Sequence, residues 1–531
     1  MTDIDVTRIP FDQIPQLSRT DADYAQHPER FARWIAHLPS YSAFSAAIDA
    51  RRSSQVDRNL LVERLRKQYA ALGESADHLD GLLNADHFTV TTAHQPVLLT
   101  GPLYFIYKIC SAIHLADRLN AQHHDSHVHP VFVIGGEDHD FAECNHLNLF
   151  GKTFTWETAQ TGAVGRMHTD DLMPVLESIR EVFGSSPYAD ALNGVIDEAF
   201  QPEWTYGQAM QKFVIRLFAH TPLIVLQMDD PAFKQAFTPV MRAELFDTVS
   251  HALISATQAE LEEAGYKPQA YLRDINLFYL HDRMRSRIER SEDGLFRIVD
   301  SEQVFTPDAM ERELSDHPGR FSPNVNLRPV YQETILPNLA YIGGGGEIAY
   351  WLERKSQFAH FHVPFPMLIR RNSVLYVNRG MQKLRNELDI TVPALFHHPH
   401  ELISSWVQAH AEHEIDIGEE THALDVAFDA IRDKAMALDP TLANKIEAFK
   451  TKTLKGVDDL GKRLVRAEKA QHERTIQKIG KLCDRLFPEQ GLQERHDNFM
   501  QYYLGQGPDW INRLIETLDP LEPGFIVMEE K

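Results

Sequence analysis

The sequence predicts an α/β protein in which a parallel-sheet core occupies residues 1–383 and an α-helical arm occupies residues 384–531. Three observations carry that expectation. A short β-branched run, Phe88–Thr92, precedes a helical pattern over Tyr104–Leu119; a continuous apolar run, Pro130–Ile134, follows it; and beyond Pro393 apolar residues recur at three-four spacing. Strand, helix and strand over this distance form a βαβ unit, and a strand apolar throughout belongs in a parallel sheet covered on both faces.

Taken in order, Asp21–Leu83 interleaves charged and apolar residues at close to a 3.6 period and reads as helical. In the helix over Tyr104–Leu119, Pro102 falls at the first turn. Phe105, Ile109, Ala112, Ile113, Ala116 and Leu119 form its buried stripe, while Tyr104, Lys108 and Ser111 share another face. Leu223–Gln227 and Met367–Ile369 are further strand candidates, so a Rossmann-like sheet is expected across most of the first 380 residues. Residues 152–206 and 282–323 are longer than simple crossovers need and read as insertions. In the arm, Asp439 and Pro440 suit the cap and first position of a new helix. Ile446, Phe449, Val457, Leu460, Leu464 and Ala467, then Ile476, Ile479, Cys483 and Leu486 after a slip in register, mark an antiparallel hairpin or coiled coil that favours a homodimer.

Composition bounds the function. Lys and Arg number 53 against 76 Asp and Glu, a formal charge of −23 that repels phosphate backbones and anionic lipid, so nucleic acid is not the expected partner. Three dispersed cysteines suit a reducing cytosol better than a disulfide framework. The acidic N-terminus lacks the features of a signal peptide, and no stretch approaches a membrane span, which together predict a cytoplasmic protein.

Three segments concentrate chemistry. After the second strand come Gly135, Gly136, Glu137, Asp138, His139, Asp140, Glu143, Cys144, Asn145 and His146. Ligands of open parallel sheets bind beyond the strands' carboxyl ends, and a helix begun near Asp138 would place His139, Glu143 and His146 on one face, fit for acid–base work or an amine. No metal is assigned, because the cluster lacks an established zinc spacing. The first strand's loop offers His94 and Gln95, then Gly101 and a helix N-terminus suited to phosphate or carboxylate, with Tyr104 and Lys108 following. The third segment, Arg328–Trp351, carries four successive glycines, Gly343–Gly346, bracketed by apolar residues, implying close backbone approach to a ligand or another segment. Arg328 and Gln332 there suit a polar or carboxylate substrate, and Gly344, Gly345, Glu347 and Tyr350 join the candidate binding residues.

The stretches TTAHQPVLLTGPLYFIYKICSAIHLA, PVFVIGGEDHDFAECNHL, NLFYLHDRMRSRI and SPNVNLRPVYQETILPNLAYIGGGGEIAYW resemble the signature segments of the bacillithiol-synthesis cysteine-adding enzymes. The resemblance implies a Rossmann-like core with inserted connecting peptides, similar to class I aminoacyl-tRNA synthetases, and a coiled-coil dimerisation arm. It implies a ligase that condenses L-cysteine with the amino group of glucosaminyl malate in the last step of bacillithiol synthesis. ATP or another nucleotide is the candidate activating cosubstrate. On this reading Asp138, His139 or Asp140 accepts the amine's proton, Glu143 and His146 support them, Gly101 and Lys108 bind phosphate or carboxylate, and Arg328 and Gln332 hold a substrate carboxylate. Two other readings stay open: a metal-dependent hydrolase of a sugar amide or ester working through Glu137–His146, and a non-catalytic nucleotide-binding coiled-coil scaffold.

Overall fold

Apolar runs in strands must be covered on both faces, and the computed structural model, which describes residues 3–281, 283–411 and 416–531, places all four expected strands in one parallel sheet. The chain divides into two compact units, one built from Thr7–Leu375 with Gln493–Ile526, the other chiefly from Tyr376–Leu492.

In the first unit, strand β1 (His87–His94) leads through helix α1 (Tyr104–Gln122) to β2 (His127–Ile134), and helix α2 (Tyr206–Leu217) precedes β3 (Ile224–Gln227) and helix α3 (Pro231–Asp247). The segment between β2 and α2 holds a hairpin, His146–Leu149 with Lys152–Thr155, and three helices, the short Phe141–Cys144 and then Met173–Glu181 and Ala189–Ala199. After α3 come β4 (Leu277–His281), β5 (Met284–Arg290), β6 (Phe296–Ile298), β7 (Val304–Phe305) and β8 (Phe321–Pro323), a separate antiparallel sheet in the order β7-β6-β5-β4-β8. The chain then returns through helix α4 (Arg328–Ile335), β9 (Asn338–Gly343), helix α5 (Gly345–Leu352) and β10 (Met367–Arg370). The parallel sheet has the order β10-β9-β1-β2-β3.

Both faces are packed. Phe88, Val90, Val128, Leu339, Ile342 and Ile369 meet Ala112, Leu115 and Leu119 of α1 on one side. Val131, Val133, Ile224, Tyr341 and Leu368 meet Phe233, Phe237 and Met241 of α3 on the other. Each large side chain so covered contributes about 1.5–3 kcal/mol. Helix α1 is buried on more than its sheet face: Ser111 donates to Asn372 Oδ1 at 3.0 Å, and His114 Nδ1 donates to the carbonyl of Ile515 at 2.7 Å, so Gln493–Ile526 supplies an outer layer for a helix whose second face the sequence left open.

β9 is an interior strand that periodicity did not mark. Its NLAYIG sequence is buried throughout, bounded by Pro337 and Gly344, and it pairs with β1 and β10.

In the second unit, helices α6 (Gly418–Leu438) and α7 (Ala443–Gln471) form a hairpin that turns at Asp439 and Pro440, where the Asp439 carboxylate accepts the Thr441 N–H at 2.9 Å. Lys450 pairs with Asp425 and Asp429, each at 2.8 Å. The slip in register falls at His472, after which helix α8 (Glu473–Leu486) buries Ile479, Leu482, Cys483 and Leu486. Phe449, Leu460 and Leu464 of α7 are exposed. All three cysteines are buried free thiols. Among the described residues, no helix is long and apolar enough to cross a membrane.

Candidate active site

From β1 the chain moves to β2 and β3 on one side, then returns past β1 to β9 and β10 on the other. The helical connections therefore diverge at the carboxyl ends of β1 and β9, leaving a crevice there. Register keeps the rim level, with His94 beside Ile134 and Ile134 beside Gln227. A cavity of about 410 Å³ opens at this rim, lined by His94 and Gln95 after β1, Gly135–Asp138 after β2, and Gly344–Glu347 after β9. Five basic side chains, Lys108, Arg285, Arg328, Arg371 and Arg495, face four acids, Glu137, Asp138, Glu143 and Glu347, so the cavity is locally basic in a chain of charge −23.

Lys108 is 1% exposed; its ammonium donates to the carbonyl of Ala93 at 2.9 Å and pairs with Glu347. Glu347 also accepts the Tyr341 hydroxyl at 2.6 Å and, in a capping-box arrangement, the Gly344 N–H at 3.0 Å. Burial alone would raise its carboxyl, but Lys108 and these donors hold it down to about 2. His94 is pushed down to about 4 by burial and by Lys108, so the ring is neutral near pH 7. Its Nδ1–H donates to the Gln95 carbonyl at 3.0 Å, and its Nε2 accepts from the Tyr104 hydroxyl at 3.1 Å. Gly345 lies against Asp21, whose carboxylate is clamped by Arg370 at 3.0 and 3.1 Å; a Cβ there would stand 2.0 Å from Asp21 Cγ. The glycine run thus allows an approach no side chain permits.

Across the cavity, burial would raise Asp138, but Arg285 at 3.7 Å, the Gln95 amide and the backbone N–H groups of His139 and Asp140 hold it below the usual carboxylate range. Glu137 differs: burial raises its carboxyl even beside Lys234, which also bonds Asp229 at 2.9 Å. Arg328 donates to the Tyr350 hydroxyl at 2.7 Å. Arg371 forks onto Glu494 at 2.8 and 3.0 Å and lies over the Tyr104 ring at 5.1 Å. The arrangement offers fixed donors for carboxylate or phosphate oxygens and a pair of adjacent carboxyls of opposite proton affinity.

Two family descriptions span the chain: "Bacillithiol biosynthesis BshC, N-terminal Rossmann-like domain" over residues 4–372 and "Bacillithiol biosynthesis BshC, C-terminal coiled-coil domain" over residues 374–530. The chain belongs to the BshC family. Similar relatives, each described as "Putative cysteine ligase BshC", come from Christiangramia forsetii, 37% identical and covering 95% of this chain and 96% of the relative; from Cytophaga hutchinsonii, 35% identical and covering 98% of each; and from Flavobacterium johnsoniae, 35% identical and covering 96% and 97%.

In this BshC family member the fold brings His94, Gln95, Tyr104, Lys108, Asp138, Glu143, Arg328, Gly344, Gly345, Glu347 and Tyr350 to one cavity. Six other expected site residues do not line it. The helix expected from Asp138 is only Phe141–Cys144, too short to align a face, so His139, Asp140 and His146 are exposed and diverge. His139 turns to Arg285, Asp140 gives its N–H to Asp138, and His146 opens the hairpin strand. Asn145 donates to the Trp156 carbonyl at 3.2 Å. Gly101 ends a left-handed turn, with Leu99 at φ 42° and Thr100 at φ 72°, and the Asn498 amide donates to the Leu99 and Gly101 carbonyls at 3.0 and 2.7 Å. Gln332 is buried in α4 and donates to Glu333. Sequence reasoning missed Arg285, Arg371 and Arg495. The alternation Arg283, Arg285, Arg287 was a visible strand signal for the first, whereas Arg495 arrives from a segment remote in sequence and had none.

Proposed function

We propose that this BshC family member is a cytoplasmic ligase that joins the carboxyl of L-cysteine to the amino group of glucosaminyl malate, completing bacillithiol synthesis. The observation that carries the reading is the basic cavity at the divergence of β1 and β9 in a chain whose relatives bear the ligase description along nearly their whole length. Amide formation needs a free amine, an activated acyl group and stabilisation of the oxyanion. Asp138, ionised, suits the incoming ammonium, and Glu137, with its raised proton affinity, suits acceptance of the amine's proton. Arg328 suits a substrate carboxylate. Expelling water from a carboxylate and an amine in aqueous solution calls for ATP or another nucleotide as activating cosubstrate. The exposed Phe449, Leu460 and Leu464 of α7 support a homodimer through the helical arm.

The deciding experiment incubates pure protein with L-cysteine and glucosaminyl malate, with and without ATP, and follows the product by mass. The condensed thiol is expected. Its absence under every cosubstrate tried, with both substrates bound, refutes the ligase reading.

A further inference from the structure

A second cavity, of about 810 Å³, opens where the loop Gln160–Gly162 meets the β4–β5 hairpin. Arg273, Arg283, Arg285 and Arg287 line it, and Asp300 is the one acid among its described lining residues. That sign is opposite to the chain's net charge of −23. The convergence follows from strand geometry, since Arg285 and Arg287 are two apart on β5 and share a face.

The walls are fixed by specific contacts. Thr161 donates its hydroxyl to the Arg283 carbonyl at 2.7 Å, and Gly162, at φ +94°, brings its backbone so close that a Cβ would stand 2.7 Å from Arg283 C. Arg285 lies 4.0 Å over the Phe278 ring and donates to Ser322 Oγ at 3.1 Å, the Pro323 carbonyl at 3.2 Å and His139 Nδ1 at 2.9 Å. Because guanidinium only donates, Nδ1 of His139 accepts and its ring proton sits on Nε2. Among the described residues, no carboxylate pairs with Arg273 or Arg283, while Arg285 has Asp138 at 3.7 Å and Arg287 the exposed Glu289 at 3.5 Å. Several guanidinium groups facing one space repel one another unless an anion joins them.

We propose that this cavity is a polyphosphate subsite in which Arg273, Arg283, Arg285 and Arg287 hold a diphosphate or triphosphate group. Linked phosphoryl groups present enough oxygens to occupy several guanidinium forks at once. Arg285 lines both cavities, so a ligand here shares a fixed cation with the site of the proposed condensation. The inference rests on the ligase reading for the ligand's role as cosubstrate, but not for its binding.

Isothermal titration of the full chain with pyrophosphate, ADP and malate tests it, using wild type, Arg283→Ala/Arg287→Ala and, in the first cavity, Tyr350→Phe. Pyrophosphate and ADP are expected to bind, more weakly as salt rises, with a loss of about tenfold or more in the arginine variant and none in Tyr350→Phe. Tighter binding of ADP than of pyrophosphate identifies a nucleotide; equal binding identifies the diphosphate alone, and both support the subsite. Since Arg283 is exposed, Arg283→Glu serves if the double variant does not fold. The proposal is overturned if neither phosphate ligand binds, if folded arginine variants bind like wild type, if the loss follows Tyr350→Phe instead, or if malate competes equally. Phosphate binding without condensation would refute the ligase reading and leave the subsite standing.

Discussion

Lys108, buried one turn into α1, and Glu347, half-buried in the first turn of α5, form an ion pair at the cavity wall where the parallel sheet reverses its direction of winding. The pair joins the loop after β1 to the glycine-rich turn after β9, so the two ends of the crevice are held by charge and by helix capping together.

Removing one partner strands the other charge. Lys108→Met is expected to cost about 1–3 kcal/mol in urea unfolding, because Glu347 keeps the Tyr341 and Gly344 donors, and Lys108→Met/Glu347→Gln less than the single change. The pH dependence has a definite sign. Glu347 is depressed from an ordinary 4.5 to about 2, so its stabilising contribution is present above pH 4.5 and disappears as pH falls towards 2. Glu347→Gln should remove that part of the acid sensitivity, and an unchanged acid limb would disprove the assignment.

Glu333 gives the opposite sign. Burial pushes its carboxyl up to about 7, although Arg51 acts to lower it and Asn338 and Gln332 donate to it at 2.8 and 3.0 Å. The folded state keeps a proton that the unfolded chain releases near 4.5, so stability is present below pH 4.5 and declines as pH rises through 7. Unfolding midpoints measured across this window should decline less for Glu333→Gln than for wild type.

Gly345→Ala is expected to destabilise the protein by about 1–3 kcal/mol, the usual scale of overpacking, because the new methyl meets an Asp21 carboxylate that Arg370 prevents from moving. Gly346→Ala, where nothing lies within 4 Å of the new Cβ, is the control and should be close to neutral in thermal unfolding.

Turnover should separate cavity residues from their exposed neighbours. Glu137→Gln and Asp138→Asn are expected to lower kcat by about a hundredfold or more. Asp140→Ala and His146→Ala, outside the cavity, should stay within about threefold, the scale of an ordinary surface change. Equal losses in both groups would return the chemistry to the exposed histidine turn.

The divide between legible and illegible residues follows from the range of the forces involved. β2, β3 and β10 announced themselves because burial on both faces demands unbroken apolar runs, β1 because β-branched residues favour strands, and the Asp439–Pro440 turn because capping is local. β9 escaped notice because its strand runs directly into a glycine turn, and His146 was misplaced because a four-residue helix cannot sustain the periodicity that an aligned face requires.

By itself the sequence determined the α/β class, the helical arm and the three segments that reach the crevice, since periodicity, turn chemistry and strand-end position are properties of neighbouring residues. Tertiary structure alone decided which side chains share a cavity, which acids keep their protons, and that Arg285, Arg371 and Arg495 join the site. Those outcomes depend on burial and Coulomb interactions between residues hundreds of positions apart, which no local pattern encodes.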